Sequence, residues 1–186
     1  MNSALRRIFW GYLFIFFRIH IGIDVLMDPI GYMLIYSGCA RIVDEFPQAK
    51  KAMIVAIVGS VLSIPSIVVN LSDPTLSYSW SMYGIALFLM KILVAFYLFI
   101  VLTDIVATIG KPSLIVKTRS TFKIFIGFHL FAFALQSFYM NTSGDGWVVL
   151  NVLSAIGVLI MDILFLLLLR KIRNAAPSSP QINYLL

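Results

Sequence analysis

Ionisable side chains interrupt the apolar stretches of this chain, and they are the residues best suited to chemistry. An ionisable group at membrane depth is costly, so each is a candidate for a functional role. Counting residues from the segment ends predicts two groups by depth. The group predicted nearer the outer surface comprises Arg18, His20, Asp24, Asp28 and Lys91. The group predicted nearer the inner surface comprises Asp104, His129 and Asp162.

The outer group combines two fixed cations, a histidine and two carboxylates. Such a set could line a polar cavity for a small charged or zwitterionic ligand, or an ion path. Alternatively, Arg18 or Lys91 pairs with an aspartate and holds the N-terminal hairpin against the fourth segment. Burying a charge without a partner costs on the order of several kcal/mol of stability. This cost favours the interpretation in which the charges pair.

The inner group predicts that two consecutive helices face each other. Asp162 lies eleven residues after Asn151, and Gln136 lies seven after His129, so each pair shares one helix face. These side chains could relay protons. They could equally form interhelical polar contacts.

A third interpretation concerns carboxylates alone. Asp104 and Asp162 would permit the paired acid/base chemistry of an intramembrane hydrolase. The sequence contains no His-Glu-x-x-His, Gly-x-Ser-x-Gly or phosphate-loop motif beside them. We expect no catalytic residue, metal site or cofactor from any motif.

The composition decides the class of protein. Of 186 residues, 61% are hydrophobic and 12% are charged, and the mean hydropathy is +0.98. A soluble domain of this length could not bury so much apolar surface. The net charge of +6 is spread over segment ends rather than gathered in one patch, which argues against a nucleic-acid partner. A single cysteine, Cys39, excludes an intramolecular disulfide.

Six hydrophobic segments predict an all-α integral membrane bundle, because a backbone exposed to lipid must satisfy its own hydrogen bonds. The predicted segments are Ile8–Ile23, Pro29–Ala40, Met53–Asn70, Met82–Ala107, Phe122–Met140 and Trp147–Leu169. Residues 1–173 form one transmembrane domain in this interpretation. Residues 174–186 form a short polar cytoplasmic tail.

Basic residues mark every second connection. Twelve of the fourteen Lys and Arg residues lie before segment one, between two and three, at the join of four and five, or after six. The other three connections contain no Lys or Arg. The positive-inside rule therefore predicts that both termini are cytoplasmic.

The first hairpin is short for a pair of spanning helices. Ten apolar residues precede Arg18, and twelve lie between Asp28 and Arg41, whereas a span needs about twenty. These segments either tilt through thinned membrane or form a re-entrant hairpin. Asp28 followed by Pro29 predicts a helix start. Irregular backbone at that depth must be buried in protein or line a wet cavity.

The stretch from Ile23 to Tyr32, Ile-Asp-Val-Leu-Met-Asp-Pro-Ile-Gly-Tyr, resembles a segment near the start of small, uncharacterised multi-pass membrane proteins of Gram-positive bacteria. There, two Asp residues flank a short apolar gap and precede a Gly-Tyr pair. Met27 replaces a proline that the pattern has before the second Asp. The resemblance implies no activity.

Two main functions follow as predictions. The chain is a transport or small-ligand-binding membrane component, or it is an accessory, assembly or immunity subunit acting through helix contacts. Its expected partners are the lipid bilayer and either another membrane subunit or a small polar ligand. The compact loops and the resemblance predict a bacterial plasma membrane protein.

Overall fold

The computed structural model describes residues 1–16, 20–21, 23–24, 28–69, 77–139 and 144–176. Within these residues the fold is helical apart from one pair of two-residue strands. The helices are α1 Asn2–Phe16, α2 Asp28–Cys39, α3 Ala49–Leu62, α4 Tyr78–Ile109, α5 Pro112–Tyr139 and α6 Asp145–Ala175. Each helix packs on the next along the chain, and α6 packs back on α1, which closes the bundle into a ring.

Three of the described helices are long and apolar enough to cross a membrane: Tyr78–Ile109, Pro112–Phe138 and Gly146–Ala175. At about 1.5 Å per residue, α4 is about 48 Å long, whereas α1 and α2 are about 22 and 18 Å. The prediction of a helical fold is therefore confirmed, and three of its helices are compatible with membrane insertion. Three spanning helices, not six, meet the length criterion among the described residues.

The α1–α2 hairpin is packed through glycine. A Cβ atom at Gly11 would lie 2.6 Å from the carbonyl oxygen of Gly31, and one at Gly31 would lie 2.7 Å from that of Gly11. A Cβ at Gly38 would lie 2.9 Å from the carbonyl oxygen of Ala4. The backbones of the two helices can approach this closely only because these positions have no side chain.

The chain leaves α1 earlier than the sequence predicts. We expected a helix to Ile23, but α1 ends at Phe16, and β1 His20–Ile21 pairs antiparallel with β2 Ile23–Asp24. Isoleucine is β-branched and favours such extended backbone. The predicted helix start at Asp28 and Pro29 is confirmed, since α2 begins at Asp28.

The third segment is divided by its proline. α3 ends at Leu62, and a 3₁₀ helix follows over Ile64–Ile67, with Pro65 near its start. A Cβ at Gly59 would lie 2.6 Å from the ring of Tyr32, so α3 also packs tightly on α2. The short helices α1, α2 and α3 thus form one side of the ring.

The basic ends of the segments meet at one end of the bundle. One surface cavity is lined by residues from the start of α1, the α2–α3 connection, the α4–α5 turn and the end of α6: Met1, Glu45, Thr108, Ile109, Lys111 and Ala175. Arg41 also donates a hydrogen bond to Ser3 at 3.3 Å. The connections that carry basic residues therefore lie together at one end of the bundle.

Aromatic rings fill the interior between the long helices. The ring centroid of Phe99 lies 4.7 Å from that of Phe165 and 5.2 Å from that of Phe125. Tyr12 of α1 joins this cluster, with its ring 4.5 Å from that of Phe165. The outer faces are apolar as well, and 17% of the most apolar stretch of α5 is buried inside the protein, against 44% for α4.

Candidate functional site

A buried carboxylate lies where four helices meet. Asp162 of α6 is 1% exposed. The Tyr12 hydroxyl of α1 donates to its Oδ1 at 2.6 Å, and Lys91 Nζ of α4 donates to its Oδ2 at 2.5 Å. These contacts make an ion pair with a charge-assisted hydrogen bond inside the bundle.

His129 of α5 completes this cluster. Its side chain is fully buried, and its Nε2 lies 3.4 Å from Asp162 Oδ1. Its Nδ1 lies 2.9 Å from the carbonyl oxygen of Phe125, one helical turn earlier. The Phe125 ring stacks on the imidazole with centroids 3.9 Å apart. The imidazole orientation is therefore fixed by a hydrogen bond and a ring contact. We call Tyr12, Lys91, His129 and Asp162 the central polar cluster.

The helices position these groups through their apolar faces. On α1 the buried residues Leu5, Ile8, Tyr12 and Ile15 recur every three or four positions, so Tyr12 lies in the stripe that faces the bundle. On α6, Asp162 lies beside the buried Met161 and one turn before Phe165. The ring of Phe165 also packs on that of Tyr12, so aromatic packing adjoins the ion pair.

A cavity of about 290 Å³ opens beside the central polar cluster. Its lining comes from α1, α2, α4 and α5: Ile15, Phe16, Asp28, Tyr32, Gly84, Leu87, Phe88, Lys91 and Gln136. Lys91 is shared between cavity and cluster, with 13% of its side chain exposed. Its ammonium also lies 5.6 Å from the ring centroid of Phe16, within cation–π distance. The cavity therefore presents a cation and a carboxylate, Asp28, between apolar walls.

A second, more apolar cavity of about 440 Å³ lies between α4, α5 and α6. Gln136, Asn151 and Ser154 are its polar lining residues. Asn151 donates its side-chain amide to the carbonyl oxygen of Trp147 at 3.1 Å. Gln136 and Phe88 line both cavities, so the two spaces are neighbours.

In the structure, the polar residues of α5 and α6 lie on facing sides of the two helices. His129 reaches Asp162, and Gln136 and Asn151 line one cavity. The division by depth is wrong for Lys91, however, because this residue of the outer group pairs with Asp162 of the inner group. The helices α4 and α6 extend beyond the predicted segments, which places both residues near mid-helix.

Asp104 lies away from this cluster. It is thirteen residues beyond Lys91 on the same helix, a separation of about 20 Å along the axis. Asp162 contacts Lys91, so the two carboxylates do not share a cleft. The geometry gives the hydrolase interpretation no paired acid and base.

The side chains of Arg18, His20 and Asp24 lie outside the residues that the structure describes. Asp28 is described: it begins α2, is 2% exposed and lines the cavity with Lys91. Two of the five residues of the outer group are therefore placed at one cavity.

Sequence reasoning missed Tyr12. The structure buries this residue completely and places its hydroxyl on Asp162. Its spacing from Leu5, Ile8 and Ile15 was the available signal. Trp10 lies on the opposite face and is 49% exposed.

Among the described residues, no group of three His, Cys, Asp or Glu side chains could hold a metal ion. The single cysteine, Cys39, is buried in α2. The chain matches no protein-family model, no curated protein and no solved structure. The geometry of the cluster and its cavity therefore carries the functional argument alone.

Proposed function

We propose that this membrane protein binds a small zwitterionic ligand in the cavity between α1, α2, α4 and α5, as a transport or ligand-binding component. One observation carries the proposal: a single cavity is lined by both a cationic residue, Lys91, and an acidic residue, Asp28. Ligand sites are concave and mostly apolar, with a few polar groups that fix orientation.

The size and lining of the cavity support a small ligand. About 290 Å³ would hold about ten water molecules at roughly 30 Å³ each. Leu87, Phe88 and Ile15 supply apolar walls, and Tyr32 and Gln136 supply neutral polar groups. A carboxylate on the ligand would accept from Lys91, and an ammonium would donate to Asp28.

An accessory role is the second candidate. Lys91 already has a carboxylate partner within the bundle, as a purely structural ion pair would. The broad apolar face of α5 would in that case contact another membrane subunit. Ligand binding at the cavity distinguishes the two functions.

For orientation, we propose that both termini are cytoplasmic and that the membrane is a bacterial plasma membrane. The convergence of the basic segment ends on one end of the bundle supports the orientation. The resemblance of residues 23–32 to Gram-positive membrane proteins supports the location.

Filling the cavity tests the proposed function. Gly84 lines the cavity, and a Cβ there would meet nothing within 4 Å, so Gly84→Leu places a larger side chain at the cavity. Thermal unfolding is measured in detergent with and without an equimolar mixture of the twenty standard amino acids. We expect the mixture to raise the unfolding temperature of the wild type by about 5–10 °C at a hundredfold excess over Kd, and not to change that of Gly84→Leu.

Gly127→Leu is the matched control. Gly127 is also a helix-interior glycine whose added Cβ would meet nothing within 4 Å, and it lies on the exposed side of α5. This variant should respond to the mixture as the wild type does. An equal response from Gly84→Leu, or none from the wild type, would contradict binding of an amino-carboxylate in this cavity.

A further inference from the structure

A cavity of about 660 Å³ lies at the end of the bundle between α1 and α6. Residues from the start of α1 and the end of α6 line it: Asn2, Ser3, Arg6, Arg173, Asn174 and Ala176. This cavity shares no described lining residue with the one beside the central polar cluster. We call it the α1–α6 cavity, and a ligand there would bind independently of one beside Lys91.

The charge of the α1–α6 cavity is positive. Arg6 and Arg173 are the ionisable residues of its described lining. Within the part of the chain that the structure describes, neither guanidinium forms a salt bridge with a carboxylate. The helix α1 contains no Asp or Glu, and α6 contains none after Asp162. Two cations would therefore attract an anion into this cavity, and neither helix end carries an acidic residue to repel it.

The lining side chains can donate hydrogen bonds into the cavity. Arg41 donates to the hydroxyl oxygen of Ser3 at 3.3 Å, so the hydroxyl hydrogen of Ser3 is not used in that bond. The guanidinium of Arg173 lies 6.0 Å from the ring centroid of Phe9, and this cation–π contact holds it against α1. Guanidinium groups bind phosphate through paired N–H donors. Two of them, with a hydroxyl and two asparagine amides, therefore suit the oxygens of a phosphate group.

Apolar surface continues from the cavity along both helices. Trp10 lies four residues after Arg6 on the same face of α1 and is 49% exposed. On α6, the exposed residues Leu167 and Ile163 lie seven and eleven positions before Asn174 and share its face. A ligand with an anionic head and apolar tails would match both the cavity and these faces, whereas free phosphate would match the cavity alone.

We propose that the α1–α6 cavity binds the phosphate of an anionic phospholipid from the surrounding bilayer, with the acyl chains along the outer faces of α1 and α6. The site depends on membrane insertion of the long helices but not on the ligand proposed beside Lys91. The contact between α6 and α1 closes the ring. A lipid held by Arg6 on one helix and Arg173 on the other would strengthen that closure.

Quenching of Trp10 fluorescence by brominated lipid tests the site, because this residue lies beside the cavity. Trp80→Phe and Trp147→Phe remove the other two tryptophans, which lie at the starts of α4 and α6. The protein is reconstituted in phosphatidylcholine vesicles that contain increasing fractions of phosphatidylglycerol brominated on its acyl chains. The dependence of quenching on this fraction measures how strongly the site prefers the anionic lipid.

Each basic residue near an anionic headgroup favours it by about fivefold, so the two arginines predict a preference of about 25-fold over phosphatidylcholine. A preference below about fivefold, the contribution of one basic residue, would overturn the proposal.

Arg6→Gln/Arg173→Gln removes both cations from the cavity and should lower the preference by at least about tenfold. Lys117→Gln/Arg119→Gln is the matched control, because it removes the same charge from two exposed positions near the start of α5. The control should keep the preference of the unsubstituted protein. Equal losses in the two variants would show that general charge attraction selects the lipid, and would overturn the site.

A single substitution keeps this comparison possible if the double variant does not accumulate. Arg6 is exposed, so Arg6→Gln disturbs no buried packing. It should lower the preference by about fivefold, and Lys117→Gln should leave it unchanged. The same preference in both single variants would overturn the assignment of Arg6 to the site.

Inorganic phosphate distinguishes the lipid from a soluble anion. It is added to the vesicles in excess, with chloride at the same ionic strength as the reference. We expect the quenching by phosphatidylglycerol to be the same in both salts, because phosphate has no apolar part to bind the outer faces of α1 and α6. A loss of quenching in phosphate alone would assign the cavity to a soluble phosphate and overturn the lipid site.

Discussion

The α1–α2 hairpin and the α4–α6 side of the ring achieve close packing by different means. The hairpin brings two backbones together at Gly11 and Gly31. The long helices instead interlock large rings around Phe99 and Phe165, and they enclose the ion pair of Lys91. In the hairpin the closest contacts join two backbones, whereas the long helices enclose the ion pair between side chains. Polar chemistry is therefore concentrated where the helices are long.

The two sides meet at Tyr12. Its ring packs on Phe165, and its hydroxyl binds Asp162. A residue of the glycine-packed hairpin thus completes the hydrogen bonding of the long-helix side. This comparison predicts that substitutions in the central polar cluster lower the unfolding free energy more than substitutions in the α1–α2 hairpin do.

Asp162→Ala should have the largest effect on stability. It leaves the Lys91 ammonium buried without its partner, which costs about 3–5 kcal/mol of unfolding free energy. Unfolding in detergent by steric trapping measures the change. The double variant Lys91→Met/Asp162→Leu removes both charges and should recover most of the loss. If the single variant lost less than about 1 kcal/mol, the pair would not be buried as described.

Tyr12→Phe should have an intermediate effect. The ring contact with Phe165 is kept, but Asp162 loses a hydrogen bond, and bonds to charged groups contribute about 1.5–3 kcal/mol. Tyr78→Phe, at the exposed start of α4, is the control and should change the unfolding free energy by less than about 0.5 kcal/mol. If Tyr12→Phe and Tyr78→Phe changed the unfolding free energy equally, the Tyr12 hydroxyl would not stabilise the contact between the hairpin and the long helices.

Gly11→Ala should have the smallest of the three effects. The added Cβ would lie 2.6 Å from the carbonyl oxygen of Gly31, so the helices must separate, at a cost of about 1–3 kcal/mol. Gly127→Ala has open space and should be neutral or stabilising by about 0.5–1 kcal/mol. The unfolding free energies of Gly11→Ala and Gly127→Ala are measured in the same way. If Gly11→Ala were stabilised, the packing of the hairpin would not depend on close contact between the backbones of α1 and α2.

The sequence predicts the helical membrane class, because composition and segment hydrophobicity are local properties of the chain. It also predicts that the stripes bearing His129 and Asp162 face each other, because helical periodicity assigns each stripe to one face. It cannot predict that Lys91 pairs with Asp162, since 71 residues separate them and only the packing of the ring brings them together.

Depth failed as a guide because it was counted from the ends of apolar runs. The helix α4 begins at Tyr78 and ends at Ile109, beyond the predicted Met82–Ala107, and α6 continues to Ala175. Polar and basic residues at helix ends remain helical, so hydrophobicity underestimates helix length. The early end of α1 at Phe16 reflects the opposite error, because an apolar run containing isoleucines can continue as extended strand.

The contact between Tyr12 and Asp162 also has a consequence for biogenesis. The two residues are 150 positions apart, so at about 5–20 residues per second the ribosome delivers the second roughly 8–30 s after the first. During that interval the first helix has no sixth helix to close against, and the ammonium on the fourth helix has no counter-ion from the sixth. Until α6 is made, lipid headgroups or the insertion machinery would have to supply that counter-charge.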